Sequence, residues 1–428
     1  MTDKKIFYGW WVLIGCFFFA FYVGGVIVYG FTAVFEPIAD EFGWSYTKIS
    51  LAASLRGLEM GLLAPFLGIL VDRLGPRKLV FAGSIITGIG LLLLSRVTSL
   101  GMFYGAFIII AIGMSPAGGT VMLAAVGNWF RKKIALVTGI SASGFALGGI
   151  LVPFINMSLA AYGWRSVMLG VGVGMWVVGI PLSLLLRHKP EQYGYLPDGE
   201  EHVTDFKNES PVTALSDDID LSIKQVLSSS IFWRLAVVFI FQMIAVSSVV
   251  THSMPYLSTA GIDRTTSSLI AGALPIISIG GRLGFGWIGD RYNKKAITVL
   301  GFAITTVGLL LFNFAGVGIW MAVLFLIIFG IGSGGTVVMR PTLLRDYFGR
   351  NKFGTFYGLA TGVIMIGNVT GAPLAGWVYD TWQNYRYAWL GFAFLGIIGI
   401  LILLTMPSVD KARADLYRAK TNSYRGEA

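Results

Sequence analysis

Apolar stretches long enough to span a membrane recur along the whole chain of 428 residues. A helix needs about 20 mostly apolar residues to cross a hydrocarbon layer of roughly 30 Å, and it satisfies its own backbone hydrogen bonds. The stretches are too long and continuous for the short alternating strands of an outer-membrane barrel. Only 13% of the residues are charged, about half the share typical of a soluble domain. The sequence therefore predicts an all-α polytopic membrane protein.

Twelve stretches qualify as membrane spans, and we number them in chain order. Spans one to six are predicted at residues 9–33, 47–71, 79–97, 101–127, 134–157 and 165–186. Spans seven to twelve are predicted at residues 231–258, 266–288, 296–315, 319–344, 353–378 and 386–406. The expected domains are an N-terminal six-helix half at 1–186, a cytoplasmic linker at 187–230, a C-terminal six-helix half at 231–406 and a cytoplasmic tail at 407–428. The acidic, proline-containing linker is expected to hold one short interfacial helix near 221–227.

Lysine and arginine concentrate in alternate connections, after spans two, four, eight and ten, and in the C-terminal tail. The positive-inside rule then places both termini and the linker in the cytoplasm. The first span follows Lys4 and Lys5 without a small-residue cleavage site, so we interpret it as an uncleaved span. Membrane topology accounts for the net charge of +10, and no nucleic-acid partner is expected.

Few residues offer chemistry for catalysis. Cys16 is the only cysteine and the three histidines are far apart, so we expect no internal disulfide, no metal site and no cofactor. The chain has no Walker loop and no convincing nucleophile–base set, which argues against an enzyme. The glycines of Gly280-Gly281 lie within an apolar span and are expected to pack helices.

The chain repeats itself at an offset of 218 residues. The segment that starts at Gly68 and contains Asp72-Arg73 follows span two, and a second copy with Asp290-Arg291 follows span eight. Further pairs at a similar offset are Gly118-Gly-Thr-Val121 with Gly334-Gly-Thr-Val337, and Trp129-Phe130 with Tyr347-Phe348. Two like-oriented halves are found in secondary transporters, whose substrate sites lie near the midplane where the repeats meet.

The segment 68–78 resembles the signature between the second and third helices of the major facilitator superfamily, and 286–295 resembles its degenerate second copy. The resemblance covers essentially the whole chain and implies twelve helices in two pseudo-symmetric halves. In such a loop the glycine lets helices approach, and the aspartate caps a helix or pairs with an arginine. We expect a gating or coupling role for Gly68, Asp72, Arg73, Arg77, Asp290 and Arg291. The alternative, a basic topogenic turn, explains the cations but not the Gly68–Asp72 spacing.

A narrower resemblance concerns the region 129–144, which is similar to the span-five signature of monocarboxylate porters and oxalate/formate antiporters. The opening Tyr8-Gly9-Trp10-Trp11 and the Gly280-Gly281-Arg282 stretch look like their bacterial members. This resemblance implies a small organic anion as substrate and a bacterial plasma membrane (inner membrane) as the location.

Among the ionisable residues inside predicted spans, we single out four that are not assigned to loops: Arg56, Glu59, Arg282 and Arg340. Each costs at least ~2.5–3.5 kcal/mol in hydrocarbon, so each is expected to face a cavity or a partner. Three cations against one anion favour an anionic substrate. Arg282 is the leading substrate residue, because a guanidinium binds a carboxylate bidentately, and related porters place an arginine in span eight. The alternative is a structural arginine bound to backbone carbonyls.

The other predicted roles are less specific. Arg56 and Glu59 share a helix face and form either a structural pair or a gate, with proton carriage by Glu59 as the alternative. Arg340, next to Pro341, belongs to a cytoplasmic gate or reaches out to the interface. Residues expected to line the cavity are Tyr22, Tyr29, Gln242, His252, Tyr357 and Asn368, although tyrosines also form interfacial belts.

The sequence departs from its relatives at positions that bear on coupling. Ser278 stands where eukaryotic monocarboxylate porters have an aspartate, span one has no lysine, and Asn368 stands where the oxalate antiporter has a lysine. We expect a monomeric secondary transporter of a small organic anion, foremost a monocarboxylate, by symport or exchange with a proton or a counter-anion. The alternatives are an exporter of amphipathic drugs or metabolites and a membrane sensor without flux.

Overall fold

A computed structural model describes residues 7–44, 46–117, 119–199 and 221–415 of the chain. All regular elements within these ranges are helices. The chain divides into two compact units, Met1–Thr204 and Asp205–Ala428. We describe each unit by itself.

The helices of the first unit follow the predicted spans. Span one runs through Gly9–Tyr22, a π-helical segment Val23–Tyr29 and Gly30–Phe42, and span two is Tyr46–Leu74. Span three is Pro76–Ser95, and span four combines Leu100–Met114, the short turn Ser115–Ala117 and Gly119–Trp129. Ile134–Leu147, a short turn Gly148–Leu151 and Val152–Leu185 contain spans five and six.

Gly163 separates spans five and six. Its backbone has φ 73° and ψ 160° inside Val152–Leu185, a conformation that glycine adopts without steric cost. A straight helix over the 52 residues of Ile134–Leu185 would be roughly 78 Å long, far more than the hydrocarbon layer needs. The break at Gly163 therefore turns one long helical run into two spans.

Among the described residues of the second unit, a short helix precedes six long helices, and residues 409–415 are also helical. The long helices, spans seven to twelve, are Ser230–Thr259, Arg264–Gly289, Lys294–Phe312, Ile319–Phe348, Phe353–Trp382 and Arg386–Thr405. The short helix, Ile223–Leu227, begins with a capping box formed by Ser222 and Gln225. A short helix was predicted near 221–227, and its existence is confirmed.

The twelve predicted spans can be traced through these helices. Within the described residues, ten helices are long and apolar enough to cross a membrane. One of the ten, Ile134–Leu185, holds both spans five and six, and Tyr46–Leu74 is a further helix of 29 residues. The predicted all-α fold is confirmed. Span one differs in length, since its helix continues to Phe42 and not to residue 33.

The internal repeat is also present as repeated contacts. The indole of Trp129 donates to the carbonyl of Arg187 at 3.1 Å, and the hydroxyl of Tyr347 donates to the carbonyl of Pro407 at 2.8 Å. Each bond joins the end of span four or ten to the residues that follow span six or twelve. In both units, the aromatic residue before span five or eleven thus forms a hydrogen bond that stabilises the contact between two spans.

Glycines give the closest contacts between helices. A Cβ on Gly90 would lie 2.7 Å from Ile110, and one on Gly308, at the offset of 218, would lie 2.8 Å from Phe329. Spans three and four and spans nine and ten therefore pack through equivalent small residues. Small residues let helix backbones approach where lipid offers no hydrophobic driving force.

Spans eight and ten pack even more closely through Gly281 and Gly334. Gly281 lies against the backbone of Ile331, and Gly334 lies against the backbone of Ser278, so that neither position has room for a Cβ. The predicted packing role is confirmed for Gly281, whereas Gly280 faces open space.

We predict that Gly334→Ala destabilises the protein by about 1–3 kcal/mol, because the added methyl group meets immobile backbone atoms. Gly280→Ala is the matched control and should be neutral or slightly stabilising. The measurement is thermal unfolding of purified protein in detergent. Equal melting temperatures for the two variants would contradict the glycine contact.

Candidate substrate site

Arg282 lies in span eight, about 12 Å of helix before Asp290. The neighbouring backbone at Ser278 and Gly281 packs on span ten, which fixes the rotation of the helix. Because successive residues are about 100° apart, Arg282 lies at the edge of this packed face. Its side chain is half-buried.

Arg340 and Tyr357 are brought together, although the sequence assigned them to a gate and to the substrate site respectively. Nη2 of Arg340 donates to the hydroxyl of Tyr357 at 3.0 Å, and the guanidinium lies 5.6 Å from the ring centre. Tyr357 is only 2% exposed. Nε of Arg340 is buried without a hydrogen-bond partner, which is costly unless a ligand or water binds there. This arginine therefore has a donor left for an anion.

Gln242 and Asn368 lie where spans seven and eleven pack. Gly367 and Gly371, a small-xxx-small pair, contact the backbone of span seven. Gln242 is 4% exposed, and its Nε2 has no hydrogen-bond partner. The carbonyl of Asn368 accepts from Ser247 at 2.8 Å, while its side chain is exposed. Gln242 thus offers a second buried donor within the same unit.

In the first unit, Tyr22 directly precedes the π-helical segment of span one, and Tyr29 is its last residue. The hydroxyl of Tyr22 donates to the carbonyl of Val171 in span six at 2.9 Å, and the ring of Tyr29 lies 5.7 Å from that of Phe145. π-Helical turns are uncommon and occur frequently at functional sites. Sequence periodicity did not predict this segment.

Arg56 and Glu59 lie in the span-two helix, but their side chains fall outside the described part of the structure. Their predicted pairing, gating and proton-carrying roles stay predictions.

The signature residues after span two surround a tight turn. Gly75 has φ 80° and precedes Pro76, the first residue of span three. Gly68 is buried and Asp72 half-buried, whereas the side chains of the signature arginines Arg73 and Arg77 are exposed. After span eight, Asp290 is the C-terminal cap residue, and the guanidinium of Arg291 lies 3.7 Å from the ring centre of Trp287.

An ion pair that sequence analysis missed joins three spans of the first unit. Arg165 contacts Glu41 at 2.6 Å and donates to the carbonyl of Ser95 at 3.0 Å. Trp164 donates to the same carboxylate at 2.7 Å. The ends of spans one, three and six are therefore connected. Glu41 and Arg165 are separated by 124 positions in the sequence, which explains why spacing alone gave no signal.

Metal binding receives no support from the described residues, among which no group of three or more His, Cys, Asp or Glu side chains could hold an ion.

The chain belongs to the Major Facilitator Superfamily, whose family model matches residues 10–339 and 255–423. Among curated proteins it is similar to monocarboxylate transporter 12 of Rattus norvegicus, with 25% identity over 92% of this chain and 85% of the relative. It is also similar to monocarboxylate transporter 13 of Bos taurus, with 25% identity over 94% of this chain and 89% of the relative. The predicted resemblance to monocarboxylate porters is thus confirmed.

Among solved structures, the chain is similar to the Major Facilitator Superfamily transporter FucP in its outward conformation. The TM-score is 0.69 at 17% identity, covering 92% of this chain and 97% of FucP. At this identity the likeness shows the fold alone.

We predict that Tyr357→Phe destabilises the protein by about 1–3 kcal/mol, because a second buried N–H of Arg340 loses its partner. Tyr292→Phe, an exposed tyrosine of the same unit, is the control and should leave the melting temperature unchanged. Thermal unfolding in detergent measures both. An unchanged Tyr357→Phe protein would show that the contact contributes nothing.

Proposed function

We propose that this protein is a secondary active transporter of a small organic anion, with a monocarboxylate as the preferred substrate, and that it works by alternating access. The family and the relatives named monocarboxylate transporters support this proposal. The observation that carries the anionic substrate is the pair of half-buried arginines in spans eight and ten, Arg282 and Arg340, the second of which has a buried N–H without a partner.

In this proposal Arg282 binds the substrate carboxylate through two parallel hydrogen bonds. Arg340 and Tyr357 form a second donor group, and Gln242 contributes its buried amide. Tyr22, Tyr29 and Asn368 complete the predicted lining. Symport or exchange couples the anion to a proton or a counter-anion, with Glu59 as the candidate proton carrier and its pairing with Arg56 as the alternative.

The signature residues Gly68, Asp72, Arg73 and Arg77 after span two, with Asp290 and Arg291 after span eight, are proposed to couple the conformational change. The proposed halves are residues 1–186 and 231–406, joined by the linker 187–230 and followed by the tail 407–428.

We also propose the orientation of the termini and the kind of membrane. The distribution of lysine and arginine supports cytoplasmic termini, and the opening Tyr8-Gly9-Trp10-Trp11 supports a bacterial inner membrane, although the two relatives described above are mammalian. We propose a monomer that transports its substrate without chemical change. An exporter of amphipathic compounds and a sensor without flux remain the alternatives.

Counterflow in proteoliposomes with labelled mono- and dicarboxylates tests the function. We predict that Arg282→Gln lowers monocarboxylate counterflow roughly 10–150-fold, since charge-assisted hydrogen bonds contribute about 1.5–3 kcal/mol. Arg234→Gln, an exposed arginine of span seven, is the matched control and should retain full flux.

The outcomes separate the alternatives. Absence of carboxylate flux in the wild type would refute the proposal, and flux of amphipathic compounds that survives Arg282→Gln would favour the exporter. Equal carboxylate flux in wild type and Arg282→Gln would remove Arg282 from the site. A pH gradient, applied to wild type and Glu59→Gln, shows whether a proton is coupled and whether this carboxylate carries it.

A further inference from the structure

A cavity of about 300 Å³ lies at one end of the second unit, where the ends of spans seven, nine, eleven and twelve meet. Positive-inside topology places this end on the extracytoplasmic side. Arg282 and the other predicted substrate residues are not among the residues that line it. Those with polar or aromatic side chains that bear on binding are Tyr256, Asn313, Phe314, Tyr379, Tyr385 and Arg386.

The lining contains one cationic side chain and one buried hydrogen-bond acceptor that has no partner. Arg386 carries the only formal charge among the lining residues, all of which are described. Asn313 is 6% exposed, and its Nδ2 donates to the carbonyl of Leu309 at 3.0 Å, but its Oδ1 has no hydrogen-bond partner. A buried acceptor of this kind is costly unless a donor from a ligand or water reaches it.

The walls of the cavity are aromatic. The rings of Tyr379 and Tyr385 stack with centroids 4.3 Å apart and an interplanar angle of 18°. Gln383, which also lines the cavity, is the C-terminal cap residue of span eleven and has φ 52°, a left-handed conformation that commonly ends a helix.

We propose that this cavity binds a planar aromatic carboxylate that also carries a hydroxyl donor, and that His252 links its binding to proton uptake. The carboxylate binds Arg386, the ring lies against the tyrosines, and the hydroxyl donates to Asn313. The ligand class rests on the organic-anion transport proposed above, whereas the site is separate from Arg282.

The link to His252 follows from hydrogen-bond directions. Nε2 of His252 lies 2.9 Å from the carbonyl oxygen of Ala372, which can only accept, so Nε2 carries a hydrogen. Nδ1 lies 3.1 Å from the hydroxyl of Tyr385 and, in the neutral ring, accepts from it. Protonation places a hydrogen on Nδ1 as well, which then donates to Tyr385. The hydroxyl hydrogen of Tyr385 must turn away from the histidine and becomes a donor to an anion in the cavity.

Other ionisable groups surround this pair. Tyr256 lies one helical turn after His252 in span seven. Tyr379 and Asp380 in span eleven interact electrostatically with Tyr385. Arg386 in span twelve interacts electrostatically with Tyr256. Asp263 caps the start of span eight. Phenols, carboxylates and guanidinium groups ordinarily keep their charge between pH 5.5 and 7.5. Burial is the main cause that raises the pKa of Tyr385, so its hydroxyl stays protonated.

Calorimetric titration of the full-length protein with 4-hydroxybenzoate at pH 5.5, 6.5 and 7.5 tests the proposal. We expect binding to weaken as the pH rises over this range, by at most about tenfold per unit, because one proton binds with each anion. Tyr385→Phe keeps the ring stack, and His252→Gln keeps a donor for Ala372. Both should abolish the pH dependence and bind at pH 5.5 as weakly as the wild type does at pH 7.5.

Arg386→Gln should weaken binding at every pH and keep the pH dependence, whereas the exposed Arg96→Gln in the other unit is the control and should change nothing. Arg282→Gln, which the transport proposal expects to lose flux, should bind 4-hydroxybenzoate like the wild type. Benzoate, which lacks the hydroxyl, should bind more weakly.

The proposal is overturned by absence of binding, by a pH dependence that persists in Tyr385→Phe, or by binding that is indifferent to Arg386→Gln. Loss of binding in Arg282→Gln would place the ligand at the transport site and would also overturn it. Equal affinity for benzoate would refute the contact with Asn313. Because binding is measured without flux, failure here leaves the transport proposal to its own test.

Discussion

The close contact of helix backbones at glycine residues determines most of this structure. In hydrocarbon the backbone is confined to helices, and helices associate through packing, which is closest where side chains are smallest. Gly281 and Gly334 join spans eight and ten, and Gly367 and Gly371 join spans seven and eleven. Each contact fixes the rotation of two helices about their axes. It therefore also decides which face presents Arg282, Gln242 or Arg340 to the interior of the unit.

Much of the fold could be predicted from the sequence, because span length and hydropathy depend on the thickness of the membrane and not on tertiary detail. The features that were missed depend on single hydrogen bonds or dihedral angles. The π-helical segment Val23–Tyr29 differs from an α-helix only in hydrogen-bond register, and the hydropathy of a sequence does not depend on this register. The continuation of span one to Phe42 is polar enough to end an apolar stretch without ending the helix.

Less of the candidate site could be predicted. The cost of a charge in hydrocarbon singled out Arg282 and Arg340 as residues that need a partner. It could not identify that partner, because the contact of Arg340 with Tyr357 depends on how spans ten and eleven are rotated. The same holds for Glu41 and Arg165, which are far apart in sequence.

The internal repeat distinguishes residues that stabilise the fold from residues that belong to the candidate site. Two kinds of contact occur in both units and therefore belong to the scaffold. They are the hydrogen bonds of Trp129 and Tyr347 to backbone carbonyls and the glycine contacts at Gly90 and Gly308. The ionisable residues singled out inside the spans, unlike Asp72-Arg73 and Asp290-Arg291, do not repeat. At the offset of 218 residues, the N-terminal positions that correspond to Arg282 and Tyr357 are Ala64 and Gly139, and the C-terminal positions that correspond to Arg56 and Glu59 are Leu274 and Ile277. In the register that pairs Gly118-Gly-Thr-Val121 with Gly334-Gly-Thr-Val337, Arg340 corresponds to Ala124. In each pair of corresponding helices, one helix packs without the charged residue, so helix packing does not require that charge. The cost of keeping each charge in the membrane then supports the proposal that these residues have a function.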